Sequence, residues 1–171
     1  REKLSKNDLL AITWPKEYGG QGLSHVESLV LAEEFARAGV PSGGPNDGFG
    51  IGMLGNTILA VGTEEQKKHF LARVLSGEDR WCQGYSEPSS GSDLGNLGCR
   101  AVLDGDEWVI TGDKYYASGA GDPRCKIFIV MLLTSPDGPP SRKHSQILVP
   151  RDTPGVEIVG PMEVFGEDDA P

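Results

Sequence analysis

The sequence predicts an α+β protein: a partial N-terminal helical domain over residues 1–79, then a small antiparallel β-barrel or sandwich over residues 80–171. Three observations carry this expectation. Two capping boxes, Ser24–Glu27 and Thr63–Gln66, each precede apolar residues at helical spacing. A hairpin signal, Arg100–Leu103, Asp104-Gly105-Asp106 and Glu107–Thr111, opens a series of short strands separated by Pro/Gly/Asp turns. No Rossmann glycine fingerprint is seen: the G-x-G-x-x-G string at Gly50–Gly55 lies within an apolar helical segment and follows no strand.

In the first half, residues 1–12 read as the tail of a helix, with Leu4, Leu9, Leu10 and Ile12 giving a partial apolar face. The stretch Trp14-Pro15-Lys16-Glu17-Tyr18-Gly19-Gly20 breaks any regular element. A helix is expected from His25, with Val26, Leu29, Val30, Phe35 and Ala36 inward and Gly39 followed by Pro41 as its stop. Phe49 to Val61 is apolar but interrupted by Gly50, Gly52 and Gly55. Glycine costs about 1 kcal/mol relative to alanine in a helix, so its presence there predicts a buried helix packed tightly against a neighbour. The helix opened by Thr63 runs to about Leu75, turns Phe70, Leu71, Val74 and Leu75 inward, and stops at Gly77. This helical layer is too small and glycine-rich to form a secure domain alone.

In the second half, Trp81, Gln83 and Tyr85 sit at period two and read as a strand that Pro88 ends. After the hairpin, Gly112-Asp113-Lys114 turns the chain into Tyr115-Tyr116-Ala117-Ser118, read as a strand end. Lys126 to Leu133 fits a strand buried on both faces. Ser145–Val149 and Val156–Val159 complete the expected set.

Composition narrows the function. The net charge of −9 argues against a nucleic-acid surface. The longest apolar run, Ile127 to Leu133, is far short of the roughly 20 residues of a membrane-spanning helix. No signal-peptide pattern opens the chain; a soluble intracellular setting is expected, cytoplasmic in a bacterium and of unspecified organelle in a eukaryote. The start at Arg1 and the acidic end at Pro171 both read as cuts. Cys82, Cys99 and Cys125 are odd in number and lack C-x-x-C spacing, so they are expected as buried reduced thiols. His25, His69 and His144 have no partner at metal-ligand spacing and read as surface or capping residues; no metal is expected.

Two stretches could bind a ligand. Following the strand at Trp81, Ser86, Ser89, Ser90 and Ser92 offer hydroxyls, while Gly84 and Gly91 allow close approach to the backbone. On composition alone, a serine-rich surface turn and a binding loop describe this stretch equally well. Glu87 is read first as satisfying backbone N–H groups and only second as an acid or base. The other stretch is the aromatic pair Tyr115-Tyr116 with small residues after it. An aromatic wall beside a donor-rich loop suits a planar heteroaromatic cofactor. No Ser/His/Asp triad can be assembled and G-x-S-x-G is absent. The acidic tail Glu167-Asp168-Asp169 reads as a solvated turn.

Four stretches, in order and at matching spacing, resemble acyl-CoA dehydrogenases: Trp14–Gly20, Gly62–Lys67, Tyr85–Asp93 and Asp104–Lys114. The resemblance covers essentially the whole chain. It implies the N-terminal helical part and the middle β-domain of that fold, without the C-terminal helical bundle. It implies FAD as cofactor, contacted by Gln83, Gly84, Tyr85, Ser86, Gly91 and Ser92 of the loop. Ser86 keeps a hydroxyl where the family usually has threonine. Ser92 corresponds to a position that also contacts the acyl-CoA substrate. The family's flavin-facing W-[IV]-[TS] step falls on Tyr116, Ala117 and Ser118, a smaller and more polar aromatic wall with a wider pocket beside it.

The implied reaction is α,β-desaturation of an acyl-CoA thioester, with loss of the α-proton and transfer of the β-hydride to flavin N5. Donors near the ring stabilise the charge of the reduced flavin. A hydrogen bond from Ser118 would contribute about 1 kcal/mol net, or about 20 mV for a two-electron couple. The family's carboxylate base lies in the C-terminal bundle, so no catalytic residue is assigned. Fatty-acid β-oxidation, an electron-transfer flavoprotein as acceptor, and a dimeric or tetrameric homo- or hetero-oligomer follow from the same resemblance. Two other readings remain: an acyl-CoA oxidase on the same fold, and a non-catalytic subunit whose partner supplies the base. The 171-residue chain by itself is expected to bind FAD weakly and turn over nothing.

Overall fold

The computed structural model describes residues 1–44 and 47–161. The chain divides into two compact units, Arg1–Arg80 and Trp81–Pro171. The acidic stretch 167–169 lies outside the described residues.

The first unit is helical: α1 Glu2–Lys6, α2 His25–Arg37, a π-helical segment Gly48–Gly55 leading into α3 Asn56–Val61, and α4 Glu64–Ser76. The expected helix over 1–12 is shorter, because α1 ends at Lys6 and Asp8 takes a positive φ of 54°. Both capping boxes form. Ser24 Oγ accepts from the Glu27 amide while the Glu27 carboxylate accepts from the Ser24 amide. Thr63 and Gln66 do the same for α4. Helix α2 closes in a Schellman motif, with Val40 N–H donating to Phe35 O and Gly39, at φ 65°, donating to Ala36 O.

The core of this unit gathers on Trp14, buried with Ala11, Ile12, Leu54, Ile58, Leu71, Val74 and Leu75. Trp14 Nε1 donates to Asn56 Oδ1 at 3.0 Å. The tight packing expected of the glycine-interrupted segment occurs at Gly55, against the Trp14 ring. That segment begins as a π-helix instead of running as one regular α-helix. The expected inward face of α2 is not buried: Val26, Leu29 and Val30 are all exposed. The helical spacing was real, but none of the described residues covers it.

The second unit is a mixed sheet of β1 Arg80–Gly84, β2 Arg100–Asp104, β3 Glu107–Thr111, β4 Cys125–Leu133 and β5 His144–Pro150. The order is β1-β4-β2-β3, with β5 also pairing β4. The β2/β3 hairpin pairs Asp104 with Glu107 around Gly105-Asp106, and Gly105 has φ 61°. A glycine at the first turn position with positive φ matches a type II′ hairpin. Strands β4 and β5 run antiparallel from Ile127↔Pro150 to Leu133↔His144.

Three strand expectations are corrected. The sheet is not purely antiparallel, since Arg100 of β2 pairs in parallel with Leu133 of β4. Residues 156–159 form no strand; they follow Gly155, whose φ is 90°, and all four are exposed. Residues 115–118 are also irregular, because Tyr116 takes a left-handed φ of 55° and Ser118 N–H closes back on Tyr116 O.

The interior of the second unit holds Cys82, Cys125, Phe128 and Val149, with Ala117 and Ala120 packed against them, and beside these Cys99, Ala101 and Leu132. All three cysteines are buried free thiols. The histidines His25 and His69 are exposed and His144 is half-buried.

Candidate functional site

The two stretches singled out in the sequence lie against each other. Tyr115 N–H donates to Ser86 O at 2.8 Å. Lys114 Nζ donates to Tyr85 O at 2.9 Å and to Glu87 Oε1 at 2.8 Å. Residues 114–115 are thereby tied to three successive loop residues, 85, 86 and 87.

Glu87 is the hub of the loop. Its Oε2 accepts from the Gly98 amide at 2.6 Å and its Oε1 from the Cys99 amide at 2.9 Å. Burial alone would push this carboxyl up. The Lys114 ammonium, the Cys99 side chain and the two amides outweigh it and hold the group at about 2. A buried carboxylate held this low by an ammonium and two amides is a poor acceptor for a substrate proton. The loop glutamate therefore satisfies backbone N–H groups, as its place before Pro88 suggested. Its charged partner Lys114 was not foreseen, being 27 residues away in sequence.

The backbone behind this hub is closely packed. A Cβ on Gly112 would lie 2.3 Å from Cys99 Sγ, and Gly112 has φ 139°, so only glycine fits where the end of β3 passes the start of β2. Cys99 Sγ in turn donates to Asp113 O at 3.2 Å. The cysteine thiol is pushed up to about 11, first by burial and then by the Glu87 carboxylate.

The loop closes on itself through Glu87 and Ser90, whose backbones exchange bonds of 2.8 and 3.1 Å. Ser90 is buried, and its hydroxyl donates to Asp93 O at 2.6 Å. The other hydroxyls differ. Ser86 is half-buried, Ser92 and Ser118 are exposed, and none of their hydroxyls is engaged in a hydrogen bond among the described residues. Gly91 is exposed, with no protein atom within 4 Å of where its Cβ would sit.

The remaining candidates divide by burial. Gln83 is half-buried and Gly84 buried at the end of β1. Tyr85 is half-buried; burial raises its phenol, and a hydrogen bond with Gln146 pulls the other way. Ala117 packs inward against the Cys82–Cys125 cluster. Tyr116 points out, 66% exposed, and meets Tyr115 edge-on with ring centroids 4.7 Å apart. A non-glycine residue at positive φ carries backbone strain. Here that strain turns the ring next to Ala117 and Ser118 away from the core.

Among the described residues no group of three or more His, Cys, Asp or Glu could hold a metal ion. Nor is any described helix long and apolar enough to cross a membrane.

Comparison with known proteins matches two adjacent domain families. Residues 1–78 match the family described as acyl-CoA dehydrogenase, N-terminal domain, and residues 82–171 match its middle domain. The chain is 39% identical over 168 residues to "Acyl-CoA dehydrogenase IpdE1" of Mycobacterium tuberculosis, covering 96% of this chain and 42% of that protein. Among solved structures it resembles the "Tcur3481-Tcur3483 steroid ACAD" with a TM-score of 0.77 at 42% identity, over 90% of this chain and 38% of that one. It also resembles the ChsE4-ChsE5 complex from Mycobacterium tuberculosis, with a TM-score of 0.73 at 37% identity, over 88% of this chain and 38% of that one. The chain thus spans well under half the length of the proteins it matches.

Proposed function

Because this chain belongs to the acyl-CoA dehydrogenase family, a family of oxidoreductases, we propose that it forms the loop-bearing part of an FAD-dependent enzyme that desaturates an acyl-CoA thioester between its α and β carbons. The observation that carries this reading is the join between loop 85–93 and residues 114–118. The segment that runs on to Tyr116 and Ser118 is held there against the loop that carries Ser86 and Ser92, through Lys114 to Tyr85 O and Glu87 and through Tyr115 N–H to Ser86 O.

The residues present fit a flavin. A flat, partly polar ring system needs an aromatic or apolar wall, donors at its rim and close backbone approach. Tyr116 supplies the wall. Ser86 and Ser118 supply hydroxyl donors, Gln83 an amide, and Gly91 leaves the backbone open, while Gly84 is buried at the end of β1. Bound FAD would supply the hydride-accepting centre of the reaction. Ser92, exposed beside Gly91, is proposed to contact the acyl-CoA. Ala117 acts from behind, seating the segment on the core. Among these residues none is proposed as the proton acceptor.

The acyl group is left open to fatty and steroid-derived thioesters, since one structural neighbour is described as a steroid enzyme. Two neighbours carry paired names, and one of these is described as a complex. This supports a second subunit of the same family as partner, completing the site. An electron-transfer flavoprotein is the proposed acceptor.

The test is purification of the full-length gene product, alone and with a co-expressed family partner. Anaerobic titration would follow, with straight-chain and steroid-side-chain acyl-CoA. Bleaching of a flavin band by one of these supports the reading. A preparation that takes up no FAD in either form would reject it. Rapid reoxidation by O₂ would move it to the oxidase alternative.

A further inference from the structure

We infer that the Glu87–Lys114 ion pair is a positioning clasp, fixing the separation between the two stretches that contact the cofactor; this rests on the flavin reading above. Three segments converge on one carboxylate. They are the loop that carries Glu87, the entrance of β2 through the Gly98 and Cys99 amides, and the segment after β3 through Lys114. Lys114 uses a second donor on Tyr85 O, and its neighbour Tyr115 donates to Ser86 O. Ser86 is therefore bracketed on both sides by anchored residues. Tyr116, Ala117 and Ser118 follow the anchored pair 114–115 directly.

The chemistry of the pair favours positioning over simple adhesion. Its side chains are only 5% and 13% exposed. Taking two charges out of water offsets most of their attraction, and a well-packed apolar pair would stabilise a fold about as well. What the charged pair adds is direction: short, charge-assisted bonds of 2.8 and 2.9 Å that hold Lys114 at one place against the loop. Displacement of a binding group by about 1 Å is enough to lose much of a ligand's orientation. Lys114 is engaged on Glu87 and on Tyr85 O. Glu87 is occupied on both oxygens, so each acts through the residues it anchors.

The test compares wild type, Lys114→Met, Lys114→Arg, Glu87→Gln and the double variant Glu87→Gln/Lys114→Met in the full-length gene product. FAD affinity, the visible circular dichroism of bound flavin and the thermal midpoint are measured for each. Expected is a loss of about tenfold or more in FAD affinity for each single charge removal, with an altered flavin dichroism. Lys114→Arg should restore affinity to within about threefold, because it can still bond Glu87 and Tyr85 O. The double variant, free of an unpaired buried charge, should recover much of the thermal midpoint without recovering affinity. Affinity that rises and falls with the midpoint, restored by the double variant, would reduce the pair to a stability role and overturn the inference. Single variants that bind FAD like a flavin-competent wild type would overturn it too, leaving the flavin reading intact. A wild type that takes up no FAD removes both.

Discussion

The indole of Trp14 presses on Gly55, so close that a Cβ added there would sit 2.1 Å from Cζ2 and 2.5 Å from Cη2. The helical unit is built around this contact, with Asn56, next to Gly55 in sequence, accepting from the Nε1 of the same ring.

Gly55→Ala should destabilise the helical unit by about 2–3 kcal/mol, because the fully buried ring has nowhere to move. Gly52, in the same π-helical segment, has open space around its Cβ position and no positive φ. Gly52→Ala should stabilise by about 0.5–1 kcal/mol. Urea midpoints of the two variants measure the contrast. Equal effects would show that Trp14 does not press on this segment.

Glu87 makes the loop acid-sensitive. Its folded carboxyl titrates at about 2, against an ordinary 4.5. A depressed carboxyl stabilises the fold fully above its unfolded value and loses that contribution as the pH falls toward its folded value. The window runs from about pH 5 down to pH 2, and the loss amounts to about 3 kcal/mol. Glu87→Gln should be weaker at neutral pH and lose about 3 kcal/mol less across that window. Denaturant unfolding of both proteins at pH 5 and pH 2 measures the difference. Parallel slopes would contradict the bonding seen at this carboxylate.

Cys82 and Cys125 face one another from neighbouring strands β1 and β4. A hydrogen bond between them raises the Cys82 thiol and lowers that of Cys125. Both are fully buried, and Cys99 is nearly so. A water-soluble thiol reagent should therefore react slowly with the native chain and titrate all three cysteines in denaturant. Fast native reaction at Cys125 would mean that β4 opens readily at its start.

What the sequence made legible was local. Ser24 and Glu27, Thr63 and Gln66, and Gly105 between two apolar runs each state their structure within four residues, and each formed. The place of Glu87 before Pro88 also announced a backbone acceptor. What stayed hidden was non-local or conformational. Lys114 is distant in sequence, and nothing beside it names Glu87 as its partner. The Cys82–Cys125 contact depends on β1 lying next to β4, across two intervening strands in sequence. Tyr116 stands in an aromatic run that reads as strand, and the left-handed turn there has no side-chain signature. The apolar face of α2 was read correctly as a pattern, but a pattern does not say what covers it.

The backbone at Tyr116 sets two selections against each other. Glycine or asparagine would hold a φ of 55° with less strain than a tyrosine does. A saturation library sorted for expression or heat resistance should therefore drift toward those small residues. The same library sorted for flavin retention should keep aromatic rings. If the two sorts diverge at this codon and agree at its neighbours, natural selection has here favoured the ring over the ease of the chain that carries it.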